Sequence, residues 1–395
     1  MSANRSLINP TSNPRLELAL REKLKRRSDL TGHLGELEPL AVRLGLIQNT
    51  LKPRLESPQL ALFASDHGVA VDGVCGIGKP DTSRVVQGLL TAQLPVAVFA
   101  SIHGMALNVV DCGVAEPVQP HPRLMARKIA HGTRNLRVTS AMTLDQAHAA
   151  IRAGMEIADA LPGNVLACAG LGIGSHESAG LVLSGLSGAP VREFVLPGMQ
   201  MKPEQEALLM MVMQTAQSRH GELDDAVEIL AACGGFEIAM MVGVMLVAAS
   251  KRHLIMIDGL PACAALLVAA RIAPTVSDYC VFCRSHGHPG LTRALKLFQS
   301  MAILELGLDC IDGTGATLAF PLARSAAALL TEVAEGDEPG PTLPASLPTA
   351  PGAIGPLPSH PHRFGSAGPQ PGIQDTEAGR QAPPMGEDTV SPDET

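Results

Sequence analysis

Short, mostly apolar runs recur along the chain, and each stops at an aspartate or a glycine. They are Leu60–Ala64 before Asp66-His67-Gly68, Ala106–Val110 before Asp111-Cys112-Gly113, Val165–Ala169 before Gly170, Gly172 and Gly174, and Leu254–Ile257 before Asp258-Gly259. Runs with little polar alternation predict strands covered on both faces, as in a parallel sheet. Between them lie longer stretches with apolar positions three and four apart, the spacing of helices that set one face on a core. Alternation of the two predicts an α/β fold: a doubly wound parallel sheet flanked by helices, its polar strand ends gathered along the carboxyl edge.

The helical stretches are Pro14–Arg27, Glu36–Leu46 with Pro39 in its first turn, Thr82–Leu94, Pro95–His103, and Met142–Leu161 with Thr143 as N-cap and Pro162-Gly163 as stop. Further on come Glu204–Arg219, a long apolar helix after Gly234-Gly235, Pro261–Ile272, Thr292–Leu306, and a last helix opened by Asp312-Gly313-Thr314-Gly315-Ala316. Met210, Met211 and Met213 are read as core filler. Residues 1–14 are expected to be disordered. So is the segment 336–395, which is rich in Pro, Gly, Ser and Ala and has no periodic apolar pattern.

Composition narrows the function classes. Hydrophobic residues make up 46% of the 395 positions but aromatics only 2%, so the core must be built from Ala, Val, Leu, Ile and Met. With a net charge of −8, no basic block and almost nothing for bases to stack on, nucleic-acid binding is not expected. The eight cysteines sit mostly in apolar runs, which fits reduced thiols in the cytoplasm. No apolar leader opens the chain, and the longest apolar stretch identified, Ile238–Ser250, is too short for a bilayer, so no membrane role is expected. Cys280-x-x-Cys283 with His286 and His288 has the look of a zinc site. It is set aside because alternate side chains of a strand-like run face apart, whereas a structural site needs four converging ligands. No metal is expected.

Chemistry is concentrated at Asn164–Ser178, NVLACAGLGIGSHES, an apolar strand, a glycine turn and a helix start. Such a turn can bring backbone N–H groups and a helix dipole to a phosphate or carboxylate, and it is as often a plain strand-to-helix turn. Asp312-Gly-Thr-Gly-Ala is a second turn of the same kind. The glycine-rich loop 73–80 and the strand end Asp66-His67 add polar groups, although a histidine at such an edge is more often structural.

Taken in order, FASDHGV (63–69), NVVDCGV (108–114), GTRN (132–135), MTLDQA (142–147), GLGIG (170–174), GGFEIA (234–239), MIDG (256–259) and DGTGATLAFPL (312–322) form a specific set. From about residue 15 to residue 335 the chain resembles the nicotinate-nucleotide–dimethylbenzimidazole phosphoribosyltransferase family of cobalamin lower-ligand synthesis. The resemblance implies an α/β enzyme with a Rossmann-like parallel sheet flanked by helices, a small helical domain from both chain ends (about 15–50 and 291–335), and a homodimer. It also implies transfer of the phosphoribosyl group of nicotinate mononucleotide to a benzimidazole-type base, with inversion and without cofactor or metal. Asp312 falls at the position of the catalytic base. Phosphate and ribose contacts fall on Gly170, Gly172, Gly174, Ser175 and His176, and on Gly313, Thr314, Gly315 and Ser285. The acceptor pocket falls on Asp66, His67, Lys79 and Asp258.

The departures from that family are as specific. Asp312 stands for a glutamate, Gly170 for a second glutamate, and Ser175-His176-Glu177 for Asn-Thr-Thr. Gly78-Lys79 replaces a Pro-Gln pair, Leu209 a phosphate-binding lysine, and Cys283-Arg284-Ser285-His286 keeps only part of a Ser-His-x-Ser-x-Glu element. Two further readings therefore stand beside the active enzyme. One is a weakly active or inactive paralogue that binds ligand or pairs with an orthodox subunit as a heteromer, and the other is a binding module for aromatic bases or nucleotides with no catalysis.

Overall fold

The computed structural model describes residues 8–27, 32–75, 80–195, 201–285 and 289–335. The chain divides into a compact unit, 1–341, and a second, 342–395, which lies outside the described residues together with the rest of the expected tail. In the first half, α1 (Pro14–Lys25), α2 (Leu37–Gln48), β1 (Gln59–Ser65), α3 (Thr82–Leu90), α4 (Pro95–Ile102), β2 (Ala106–Gly113), β3 (Leu124–Ala126) and α5 (Leu144–Ala160) lead to β4 (Val165–Leu171) and α6 (Ser175–Ser187). Then follow α7 (Pro203–His220), α8 (Ala226–Cys233), α9 (Phe236–Ser250), β5 (Leu254–Ile257), α10 (Leu260–Ile272), β6 (Cys280–Arg284), α11 (Pro289–Leu297), β7 (Ala302–Leu304) and α12 (Thr314–Thr331).

The strands form one sheet in the order β3-β2-β1-β4-β5-β6-β7, and every pairing is parallel. Strand order reverses between β1 and β4, so the loops that leave their carboxyl ends part over a crevice, the usual place for a ligand in a doubly wound sheet. All seven residues of β1 and of β4 are buried, as the apolar runs require. Aromatics are scarce, and small residues let helices come close instead. A Cβ on Gly154 of α5 would sit 1.9 Å from the Met240 carbonyl oxygen of α9, and one on Gly243 of α9 would sit 1.9 Å from the Ile151 oxygen of α5. Thr143 caps α5 in a full capping box with Gln146. Helices α1 and α2 pack with α12, and Glu335 pairs with Arg26 at 3.0 Å and Lys23 at 3.6 Å.

Four features differ from the sequence expectation. Residues 8–13 are not loose: Ile8 is buried, and the Tyr279 hydroxyl donates to the Asn9 carbonyl at 2.6 Å, while the Thr11 N–H donates to Asp278. The expected helix 292–306 stops at Leu297. Gln299 takes a left-handed conformation, the Ser300 N–H turns back to the Leu295 carbonyl, and 302–304 becomes an edge strand on β6. Neither the short edge strand β3 nor α8, which is capped by Asp225, carries a strong periodic signal of its own. The segment Thr82–Ile102 is longer than Ile238–Ser250 and passes for a span by length and hydropathy, but it is broken into α3 and α4.

Candidate functional site

Three strands carry an aspartate near or just past their carboxyl ends, and each carboxylate is used to pin the loops of the carboxyl edge. Asp66, after β1, accepts from the Thr82 hydroxyl at the start of α3 and from the Ala115 N–H at 2.7 Å. Asp111 accepts from the Val114 N–H at 2.9 Å and pairs with Lys128 at 3.1 Å. Asp258, wholly buried, accepts from Arg284 Nε at 2.7 Å, from the Gly313 N–H at 2.7 Å and from the Ala316 N–H at 3.1 Å. The turn at Gly313–Gly315, expected to cradle a substrate phosphate, thus already holds a carboxylate of the chain itself at the N-terminus of α12. The Thr314 hydroxyl is likewise committed, donating to the Ile311 carbonyl at 2.7 Å.

Asp312 lies between this turn and α6. Its carboxylate is 2% exposed; Oδ1 accepts from Arg284 Nη2, and Oδ2 lies 3.0 Å from His176 Nε2. Gly259 leaves room for it, since a Cβ there would fall 2.1 Å from Asp312 Oδ2. Arg284 therefore sits between two carboxylates. Burial opposes its charge, but Asp258 and Asp312 outweigh that and raise its pKa, so the guanidinium stays charged. Burial pushes the Asp258 carboxyl up and Asp312 adds to the rise, against the opposing pull of Arg284. His176, the second residue of α6, keeps 40% of its side chain exposed and is the solvent-facing member of the group.

The β4–α6 turn needs its glycines for packing. Gly172 (φ +145°) lies where a Cβ would be 1.7 Å from the Ser65 carbonyl oxygen, and Gly174 (φ +87°) where it would be 2.8 Å from His67 Cβ. A Cβ at Gly170 would meet Pro261 Cβ at 2.7 Å and Met241 at 3.1 Å. The turn lies directly on the loop after β1, where it adjoins a buried polar cluster. His67 donates or accepts at both ring nitrogens, to Ser178 Oγ at 2.8 Å and Glu237 Oε1 at 2.9 Å, and the Ser175 hydroxyl also donates to Glu237 at 2.9 Å. His67 and Glu237 side chains are 0% exposed, and among the described residues Glu237 Oε2 has no hydrogen-bond partner. Burial works against charging His67, yet the Glu237 carboxylate overcomes it and raises the histidine pKa.

Of the sequence-predicted residues, then, Asp312, His176 and the Gly313 turn are brought together, with Asp258 directly behind them. His67, expected in the acceptor pocket, is instead sealed in the core, and Ser175, expected at the phosphate, spends its hydroxyl on Glu237. Ser285 is buried and donates to Glu305 at 3.2 Å. Lys79 and Gly78 lie outside the described residues, as do His286 and His288. Leu209 faces the core of α7 with Val212, Met213 and Ala216. Among the described residues no group of three or more His, Cys, Asp or Glu is placed to hold a metal. Sequence reasoning did not single out Arg284 or Glu237. Arg284 follows a run with no other charge, and Glu237 opens an otherwise apolar helix, a signal that marks a buried charge with a paired role.

A phosphoribosyltransferase family model matches residues 9–340. The nicotinate-nucleotide–dimethylbenzimidazole phosphoribosyltransferase of Cupriavidus necator is 40% identical over 324 residues, covering 81% of this chain and 92% of that one. The enzyme of the same name from Dechloromonas aromatica is 39% identical over 331 residues, covering 82% of this chain and 95% of that one. The crystal structure of the Thermus thermophilus enzyme of that name superposes with a TM-score of 0.75 at 30% identity, covering 81% of this chain and 96% of that one.

Proposed function

Because the chain belongs to the nicotinate-nucleotide–dimethylbenzimidazole phosphoribosyltransferase family, we propose that it transfers the phosphoribosyl group of nicotinate mononucleotide to a benzimidazole-type base, in assembly of the cobalamin nucleotide loop. The observation that carries this reading is the match to enzymes of that name over 81% of the chain and 92% of the relative. The bond from the ribose anomeric carbon to the nicotinate nitrogen breaks, and its electron pair leaves with nicotinate. A ring nitrogen of the acceptor forms the new bond from the opposite face, and the proton on the other ring nitrogen must then be removed. Chemistry of this kind needs an anchored phosphate, a flat pocket and a proton acceptor, with no redox step.

The carboxyl edge offers those parts. The N-terminus of α6, with the glycine turn ahead of it, is the end of a helix dipole suited to a phosphate, and the Asp312–His176 pair is the proton-accepting group beside it. Asp66 and Asp258 serve by shaping the loops around the acceptor. We further assign the enzyme to the cytoplasm, as eight free cysteines suit, and to a homodimer, as the resemblance implies. Incubation of the purified chain with nicotinate mononucleotide and 5,6-dimethylbenzimidazole is expected to release nicotinate at a rate that depends on the acceptor. No release across a panel of benzimidazoles would overturn the assignment.

A further inference from the structure

We propose that Arg284 is a positioning residue of the transfer reaction: its guanidinium clamps the Asp312 carboxylate to Asp258 and to the backbone at Leu308, so that the Asp312–His176 pair is presented in one geometry. The role rests on the transfer reaction proposed above. Strand pairing brings the parts together. Ile257 of β5 lies opposite Phe282 of β6, so Asp258, one residue past β5, and Arg284, the last residue of β6, emerge side by side from neighbouring strands. Each nitrogen of the guanidinium then has its own anchor. Nε donates to Asp258 Oδ1 at 2.7 Å, Nη1 to the Leu308 carbonyl at 2.8 Å, and Nη2 to Asp312 Oδ1.

The frame closes on itself. Asp258 gives one oxygen to Arg284 and the other to the Gly313 and Ala316 N–H groups, so the carboxylate that orients the guanidinium also fixes the turn that begins just after Asp312. Packing holds the same parts from other sides. A Cβ at Gly315 would fall 2.8 Å from Arg284 Cδ, and one at Gly259 would fall 2.1 Å from Asp312 Oδ2. With Asp312 Oδ1 taken up by Arg284, Oδ2 is directed to His176 Nε2 at 3.0 Å. The Arg284 side chain is 6% exposed, so the clamp is set inside the protein and leaves His176 as the member that meets solvent.

Arginine suits this task and lysine does not. A planar guanidinium donates in several fixed directions at once, whereas an ammonium is a point charge on a flexible stem. Burial opposes the charge on Arg284, but Asp258 and Asp312 outweigh it, so the clamp stays cationic. An aspartate holds its carboxylate one methylene nearer the backbone than a glutamate does, and its placement is set by what grips it. Displacing such a group by about 1 Å costs about 100-fold in rate. Arg284 therefore acts through Asp312, and its removal should matter only while that carboxylate is there to be placed.

The test is nicotinate release by the full chain, from nicotinate mononucleotide and 5,6-dimethylbenzimidazole, for wild type, Arg284→Met, Arg284→Lys, Asp312→Asn and the double variant Arg284→Met with Asp312→Asn. Arg284→Met is expected to lower kcat about 100-fold while the KM for nicotinate mononucleotide stays within about threefold. Arg284→Lys, which keeps the charge but not the fork, is expected to fall between Arg284→Met and wild type. In the Asp312→Asn background, Arg284→Met is expected to cost less than about threefold more. A structural residue would instead cost the same in both backgrounds, and that result overturns the proposal. An Arg284→Met variant within about threefold of wild-type kcat, or one changed in KM alone, overturns it too. Removing one member of a buried ion pair destabilises the fold, so each variant is assayed below its own melting transition, and where Arg284→Met does not fold, Arg284→Lys carries the same comparison. A wild type that releases no nicotinate overturns the transfer reaction itself, whereas an active wild type indifferent to residue 284 overturns this role alone.

Discussion

At position 170 a side chain has nowhere to go. The sequence shows a glycine where the family resemblance places a glutamate, and the bare substitution reads as the loss of a functional group. The structure adds that a Cβ there would meet Pro261 Cβ at 2.7 Å, so this chain has closed α10 over the place the glutamate would need. Gly170→Glu is therefore expected to lower stability by about 1–3 kcal/mol and to leave kcat no higher, as urea unfolding and nicotinate release will show. Asp312 teaches the same lesson. A carboxylate was legible at 312 from the Gly-Thr-Gly-Ala turn after it, but its burial under Arg284 was not, because Arg284 lies 28 residues earlier in sequence. Nothing local links the two; the packing of α12, which Asp312 precedes, against β6, which ends at Arg284, brings them together.

Among the elements, helix α5 packs on α9 through backbone contact. Small residues are frequent throughout this chain, so Gly154 and Gly243 do not stand out in the sequence. In the fold each faces a carbonyl oxygen of the other helix, so a Cβ at 154 would reach 1.9 Å from the Met240 oxygen and push the helices apart. Valine recovers only about 0.3 kcal/mol of helix propensity over glycine, whereas overpacking of this kind costs about 1–3 kcal/mol or more. Overpacking wins. Gly154→Val is expected to lower the melting temperature by roughly 2–4 °C for each kcal/mol lost, a fall that calorimetry will measure. The strands with continuous apolar runs, β1, β2, β4 and β5, were plain in the sequence, as was the Thr143 cap of α5. Strands β3 and β7, three residues each, were not, because an edge strand so short is defined by its partner rather than by its own pattern.

For the molecule as a whole, the His67 cluster is the knot that ties the loop after β1 to α6 and α9. The folded His67 pKa is raised by Glu237 above its ordinary value, so the folded state binds this proton more tightly than the unfolded chain. The stability it contributes is complete below about pH 6.5, the unfolded value, and is lost as pH rises through the folded value. His253 has the opposite sign: burial first, then Lys251, depresses its pKa, so it costs stability as pH falls. Comparing wild type with His67→Asn removes that background. The stability advantage of wild type is expected to be largest at about pH 6 and to shrink towards about pH 9, as melting curves across that range will show. An advantage independent of pH would place the contribution in packing rather than charge.

The sequence alone determined the fold class, the strands of the central sheet, the alignment of polar groups along one edge and the family, because each is carried by a local periodicity or a contiguous motif. It also located two glycine turns that open helices. What fills those turns was decided by the tertiary structure. Asp258 and Glu237, from elements distant in sequence, supply the anions, Arg284 supplies the buried cation, and His176 is left as the exposed member of the cluster. Local pattern reports which face of an element is buried. Which charges meet there depends on strand order, and a buried carboxylate takes its role from the partner that strand order brings to it.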